Sequence, residues 1–159
     1  MKALVDDKKI IQLVTFRLGD EEYGVDILKV HEINRMMDIT AVPNAPNCIE
    51  GVINLRGKVI PVINLRMKFG LPHKQADARS KIVVVDVGMA AGIIVDSVSE
   101  VLRISSDVIE PPPPMTASIG SEYILGVGKL KDRLLILLDI ERLLGATDGE
   151  MMVKAVASL

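Results

Sequence analysis

Residues able to do chemistry are few in this chain, and their spacing supports little of it. His31 and His73 are the only histidines, and Cys48 is the only cysteine. A structural zinc site needs four ligands, usually in close Cys or His pairs, so no metal site is expected. Cys48 and His31 are residue types that could form a nucleophile and its base. Nothing in their spacing supports that pairing, and a buried, inert cysteine is the simpler reading. Gly126-Val127-Gly128 begins a dinucleotide fingerprint, but Lys131 stands where its last glycine belongs and no βαβ unit surrounds it. No phosphate-binding loop is present. No catalytic residue and no cofactor is therefore assigned.

Two kinds of charged residue remain. Glu32 and Glu100 fall at equivalent places in an internal repeat. They could be paired carboxylates, or each could sit on the polar side of its own strand. Arg56 lies in a tight turn after Asn54-Leu55. A guanidinium on a rigid turn suits bidentate contact with a partner carboxylate or carbonyl. The plainer alternative is a solvated turn residue, since exposed ion pairs contribute only ~0–1 kcal/mol.

The elements that position these residues follow from the repeat. Gly24-Val25-Asp26-Ile27 through Val30-His31-Glu32-Ile33 aligns with Gly92-Ile93-Ile94-Val95 through Val98-Ser99-Glu100-Val101, 68 positions on. Gly51-Val52, Leu55, Asn64-Leu65 and Phe69-Gly70 align with Gly126-Val127, Leu130, Asp139-Ile140 and Leu144-Gly145, 75 positions on. The period is too long for a solenoid, so two similar subdomains are expected, about 10–72 and 80–146. The strands they exchange are left open. Asn54-Leu55-Arg56-Gly57 of the first copy meets Lys129-Leu130-Lys131-Asp132 in the second.

Each copy reads as two hairpins and a short helix. Ile10–Leu18, the turn signal Gly19-Asp20-Glu21-Glu22 and residues 23–27 form one hairpin; 81–87 and 92–95 form its counterpart. Residues 51–55 and 59–63, around Arg56-Gly57-Lys58, form the next, with 126–130 and 134–138 in the second copy. Gly57 suits a turn position of positive φ. Pro61 implies an edge strand or a bulge, because it has no N–H for a ladder. Ile82-Val83-Val84-Val85 suggests a strand buried on both faces. Asn64 and Asp139 are suitable helix N-caps, and Gly70 and Gly145 suitable stops. The fold class is mainly β, with two small barrels and short helices.

Composition narrows the partners. The chain of 159 residues is 49% hydrophobic, which argues against disorder, and carries a net charge of −2, which gives no long-range attraction to nucleic acid or anionic membrane. Aromatics are 3% and tryptophan is absent, so base-stacking platforms are not expected. No signal peptide is visible, and runs such as 134–138 are far short of the ~20 apolar residues of a membrane helix. A reducing cytoplasm is the expected home. Pro111-Pro112-Pro113-Pro114 is either a polyproline ligand or a rigid connector within the second copy, and its place inside a repeat favours the connector. Residues 147–159 read as a C-terminal helix or tail.

At these residues the chain resembles the CheW family of bacterial chemotaxis adaptors. Three stretches carry the likeness: Leu18-Gly19-Asp20-Glu21-Glu22-Tyr23-Gly24-Val25-Asp26-Ile27 leading into Val30, Glu32 and Ile33; Val42-Pro43 followed by Ile49, Gly51-Val52-Ile53-Asn54-Leu55-Arg56-Gly57, Pro61-Val62 and Leu65-Arg66; and Gly92-Ile93-Ile94-Val95-Asp96 with Val98, then Gly126-Val127-Gly128 and Ile136-Leu137-Leu138-Asp139-Ile140. The resemblance implies one domain over 10–146, built from two five-stranded SH3-like β-barrels around a shared hydrophobic core. It implies a non-catalytic adaptor that binds chemoreceptor cytoplasmic tips and the regulatory domain of the CheA histidine kinase, recruited to receptor arrays at the inner membrane. By motif, the receptor groove between subdomains includes Val30, Glu32, Ile33, Arg56 and Val98. Kinase-side contacts fall near Gly51, Asn54 and Gly57. Couplers with an added receiver domain, and the kinase itself, need modules for which this length has no room, so the stand-alone adaptor is expected.

Two rivals stand beside it. One is an enzyme using an inter-barrel cleft, with His31 or Glu32 as acid or base; convergent polar groups in a concave pocket would favour it. The other is a coupling protein of a different receptor–kinase pathway, in motility or surface behaviour.

Overall fold

The computed structural model describes residues 9–45, 48–112 and 123–144. The strands are β1 (Ile10–Leu18), β2 (Glu21–Asp26), β3 (Val30–Arg35), β4 (Ile49–Leu55), β5 (Lys58–Asn64), β6 (Lys81–Asp86), β7 (Ala90–Val95), β8 (Ser97–Ser105), β9 (Ile109–Glu110), β10 (Ile124–Lys129) and β11 (Leu134–Leu138). Two one-turn helices, α1 (Leu65–Lys68) and α2 (Ile140–Leu143), follow β5 and β11. Asn64 caps α1 by accepting from the Met67 N–H, and Asp139 caps α2 by accepting from the Arg142 N–H, as expected of both. No described helix is long and apolar enough to cross a membrane. Gly145, Pro113, Pro114 and the 147–159 tail lie outside the described residues, so the readings made of them do too.

The strands form a six-stranded sheet, ordered β9–β10–β11–β2–β1–β8, and a five-stranded sheet, ordered β3–β6–β7–β5–β4. The two sequence copies are interleaved between them. The six-stranded sheet takes β1 and β2 from the first copy and β8 to β11 from the second. The five-stranded sheet takes β6 and β7 from the second and β3 to β5 from the first. The crossings follow Asp26 and Val95. Register supports the repeat: Gly24 pairs with Leu137 across β2 and β11, and Gly92 pairs with Val62 across β7 and β5. The two glycines and their two partners are related by the same offsets as the aligned sequences.

Three details differ from the sequence reading. One sheet has six strands because the two-residue β9 pairs with β10; its counterpart in the other sheet is the single bridge Thr40↔Val52. Among the described residues neither ladder joins its first strand to its last, so each sheet is open by backbone pairing. Pro61 is neither on an edge strand nor at a bulge. It lies in β5, between β4 and β7, and the β5–β7 pairing starts only at Val62, so the missing N–H falls before that ladder begins.

The core sits between the sheets. Phe16, Leu18, Tyr23 and Val25 from one meet Ile63, Val83, Val85, Ile93 and Val95 from the other, with Leu65 and Leu143 from the helices. Alternation sends Ile82 and Val84 to a second cluster with Ile53, Leu55, Ile60 and Val62, inside the five-stranded sheet. Leu13, Ile104, Leu135 and Leu137 form the matching cluster of the other sheet. This is why residues 82–85 are all buried, at 1% exposure or less. Each such side chain contributes roughly 1.5–3 kcal/mol through burial. Tyr23 stacks between Phe16 and Phe69, with centroid distances of 5.9 and 5.6 Å. Cys48 is partly buried against the shared core.

Candidate functional site

The β4–β5 ladder closes at Leu55↔Lys58, which leaves Arg56 and Gly57 as a two-residue loop. Their φ angles are +53° and +87°. Two positive values make a type I′ turn, whose twist matches the flanking strands and which favours Asn-Gly. Arginine at the first position costs roughly 1–2 kcal/mol, because its Cβ crowds the following carbonyl. Asn54 stabilises the turn: its Oδ1 accepts from the Gly57 N–H at 2.8 Å.

Arg56 crosses to Glu32. Its Nη1 donates to Oε1 at 3.2 Å, and its Nη2 donates to Oε2. Glu32 stands on β3, where the register slips between Val30 and Glu32 and sets the carboxylate opposite Val84. Such a bulge re-aims a side chain. The Glu32 side chain is 21% exposed and that of Arg56 67%, so the guanidinium keeps open surface beside its ion pair. Arg56 holds the Glu32 carboxyl below the usual carboxylate range, chiefly through this hydrogen bond, and Glu32 in turn raises the guanidinium. His31 Nε2 lies 3.8 Å from Glu32 Oε2. A cleft of about 500 Å³ opens here, lined also by Leu55, Lys58, Ile60, Asp86 and Met89.

The second copy builds a counterpart with a different arginine. The β1–β8 register slips between Thr15 and Phe16, and Glu100 pairs with Thr15. Arg133, in the β10–β11 turn, donates from Nη2 to Glu100 at 3.0 Å and from Nε to Glu22 at 2.6 Å. Glu22 is buried, with 6% side-chain exposure, whereas Glu100 is 49% exposed. The sequence comparison missed Arg133 because it aligned Lys131 with Arg56. A usable signal was present: Glu100 repeats Glu32, and the equivalent turn holds an arginine two positions further on.

A third arrangement, also missed, ties the copies together. Arg66 of α1 donates from Nε and Nη2 to Asp96 at 3.0 and 2.7 Å. Asp96 also accepts from the Gly19 N–H at 2.8 Å, and Arg66 Nη1 donates to the Pro72 carbonyl. Arg66 holds the Asp96 carboxyl low, chiefly through its hydrogen bond. At the related place in the other copy, Glu141 of α2 pairs with Lys29 at 2.8 Å, with the charges reversed.

Comparison with known proteins agrees with this architecture. The sequence profile of the CheW-like domain matches residues 12–148. The chain belongs to the CheW-like family. It is 42% identical to a chemotaxis protein CheW of Klebsiella aerogenes, over 86% of this chain and 83% of that protein. It is 38% identical to a chemotaxis protein CheW of Treponema pallidum, over 91% of this chain and 87% of that one. Among solved structures it matches the scaffolding protein TtCheW from Thermoanaerobacter tengcongensis with a TM-score of 0.81, at 40% identity, covering 88% of this chain and 96% of that one.

In this CheW-like chain the structure brings Glu32 and Arg56 together but leaves the other residues expected on a receptor side, Val30, Ile33 and Val98, outside their cleft. Val30 and Val98 are partly buried against the shared core. Ile33 is exposed on β3, at 40%. Of the residues expected near a kinase, Gly51 has a backbone reason for its type: a Cβ there would lie 2.3 Å from the Thr40 carbonyl oxygen. Gly126 repeats this against the Glu110 carbonyl oxygen, at 2.7 Å. Gly57 has open space around it and is set by its φ alone.

The cleft is concave and carries polar groups, as the enzyme reading required, but their pairing opposes catalysis. Glu32 is bonded twice to a guanidinium and held below its usual range, which makes it a weak base. CheW proteins are non-catalytic scaffold or adaptor proteins, and the matched solved structure is named a scaffolding protein.

Proposed function

We propose that this CheW-like chain is a non-catalytic chemotaxis adaptor, and that it couples the cytoplasmic tip of a chemoreceptor to the regulatory domain of the CheA histidine kinase at receptor arrays on the inner membrane. The observation that carries the reading is the family match across residues 12–148, joined to an exposed arginine held on a rigid turn. A receptor tip is a helical hairpin, and it offers an apolar stripe with flanking polar groups. Arg56 and Glu32 supply orientation, and Val30, Ile33 and Val98 supply apolar contact. Charged residues at such a rim fix register more than they raise affinity. The kinase side is the β4–β5 hairpin, whose backbone Gly51 and Gly57 shape. Receptor state then biases the kinase through differential contacts on a shared scaffold.

The test is a binding titration against an isolated CheA regulatory domain and a receptor-tip fragment, separately and together. The expected result is binding to each and a ternary complex. Binding to neither overturns the coupling role.

A further inference from the structure

Asn54 offers a side chain to a partner, yet its oxygen is already engaged. Oδ1 accepts from the Gly57 N–H at 2.8 Å, inside the loop that holds Arg56 at positive φ. The second copy is an internal control. There the β10–β11 ladder ends at Lys129↔Leu134, so four residues form the loop, and Leu130 N–H donates to the Arg133 carbonyl at 3.0 Å. Arg133 reaches its carboxylates without a left-handed backbone, since Asn44 and Arg56 are the only non-glycine residues of positive φ among those described. Lys129 stands at the Asn54 position and offers no acceptor. The acceptor is present in the copy where an arginine must be shown from a strained two-residue turn, and absent where the loop is longer.

The residue type also fits. An amide oxygen caps the turn without charge. An aspartate would cap it equally but would place a second carboxylate near Arg56, in competition with Glu32.

We infer that Asn54 is a positioning residue for Arg56: it locks the Arg56-Gly57 turn so that the guanidinium is delivered to Glu32 and to the receptor-side surface, and it does not itself contact the kinase. The partner half of this inference rests on the adaptor reading; the intramolecular half does not.

The test compares Asn54→Ala, Arg56→Ala and the double variant. Carbon-13 NMR follows the titration of the Glu32 carboxyl, the group that Arg56 holds low, with His31 Nε2 3.8 Å away. The expected result is that Asn54→Ala moves the Glu32 midpoint upward toward its position in Arg56→Ala. Receptor-tip affinity falls about tenfold in Asn54→Ala, the scale of one charge-assisted hydrogen bond. The double variant binds no worse than Arg56→Ala, because Asn54 acts through Arg56. Affinity for the kinase regulatory domain falls less than that for the receptor tip, and Asn54→Asp, which keeps an acceptor, recovers receptor-tip binding only in part, because its carboxylate competes with Glu32 for Arg56. A Glu32 midpoint in Asn54→Ala equal to the native one overturns the positioning role. So does an additive loss in the double variant, or a loss confined to the kinase domain. If the native protein binds no receptor tip, the adaptor reading falls, and the Glu32 titration still decides the role of Asn54.

Discussion

The Arg56 guanidinium and the Glu32 carboxylate join opposite edges of one sheet. Glu32 is on β3 and Arg56 follows β4, the two outer strands of the five-stranded order. The ion pair therefore closes, through side chains, a ring that the backbone ladder leaves open. Arg133 and Glu100 make a related contact, with Arg133 in the β10–β11 turn, one strand in from the edge strand β9, and Glu100 on the opposite outer strand β8. The closure made by Arg56 can be separated from its proposed partner contact. Arg56→Glu should keep the fold with little loss of stability, because an exposed ion pair contributes little. Receptor-dependent kinase activation should drop about tenfold or more. Adding Glu32→Arg restores the opposite-charge pair. Thermal stability should then return while activation stays low, since the surface charge is inverted. Recovery of activation in the swapped variant would show that closure alone is what matters.

Gly51 and Gly57 are both glycines of the same hairpin, but for different physical reasons. A Cβ at Gly51 collides with backbone, the Thr40 carbonyl at 2.3 Å, so a strand must move. Gly51→Ala should cost about 2–4 kcal/mol. In a chain of this size that lowers the melting temperature by about 4–16 °C. Gly57→Ala meets no atom within 4 Å and carries only the left-handed penalty, about 1 kcal/mol. Equal melting temperatures for the two variants would contradict the backbone clash.

Hairpins, caps and the repeat were legible in the sequence because each is local. β1 and β11 end where alternation and turn residues place them, and Asn64 and Asp139 cap as their types predict. The interleaving of the copies was not legible, since β2 and β7 carry no local mark of which sheet the next strand joins. For the same reason the Arg66–Asp96 pair was missed: its partners are 30 residues apart in sequence and meet only after the crossing. Pro61 misled because its rule concerns a missing N–H, and that N–H falls just before the β5–β7 pairing begins. Arg56 was identifiable as a turn residue, but its Glu32 partner emerged only with the curl of the sheet.

The Arg66–Asp96 pair should set an acid limit on stability. Both side chains are mostly buried, at 14% and 17% exposure. Asp96→Asn leaves Arg66 without its counter-charge and should cost about 2–3 kcal/mol, somewhat below the loss from a fully buried pair. The Asp96 carboxyl titrates lower in the folded state than in the unfolded chain. Its contribution is therefore complete above the unfolded value, about 4, and is lost as the pH falls through the lower folded value. Chemical denaturation across that range should show native stability falling toward that of Asp96→Asn. A gap that stays constant with pH would remove the carboxylate from this role.

Arg133 separates a buried partner from an exposed one. Glu22 is 6% exposed and bonded to Arg133 Nε, while Glu100 is 49% exposed and bonded to Nη2. Arg133→Ala strands the Glu22 charge in a partly dry site, which should lower stability by more than the loss of an exposed pair does. Glu100→Gln removes an exposed pair and should cost about 0–1 kcal/mol. The two effects are distinguished by adding Glu22→Gln to Arg133→Ala. Neutralising the stranded carboxylate should recover part of the loss, so that the double variant is more stable than Arg133→Ala alone. A double variant less stable than Arg133→Ala would mean that the loss comes from the packing of the arginine stem, not from its charge.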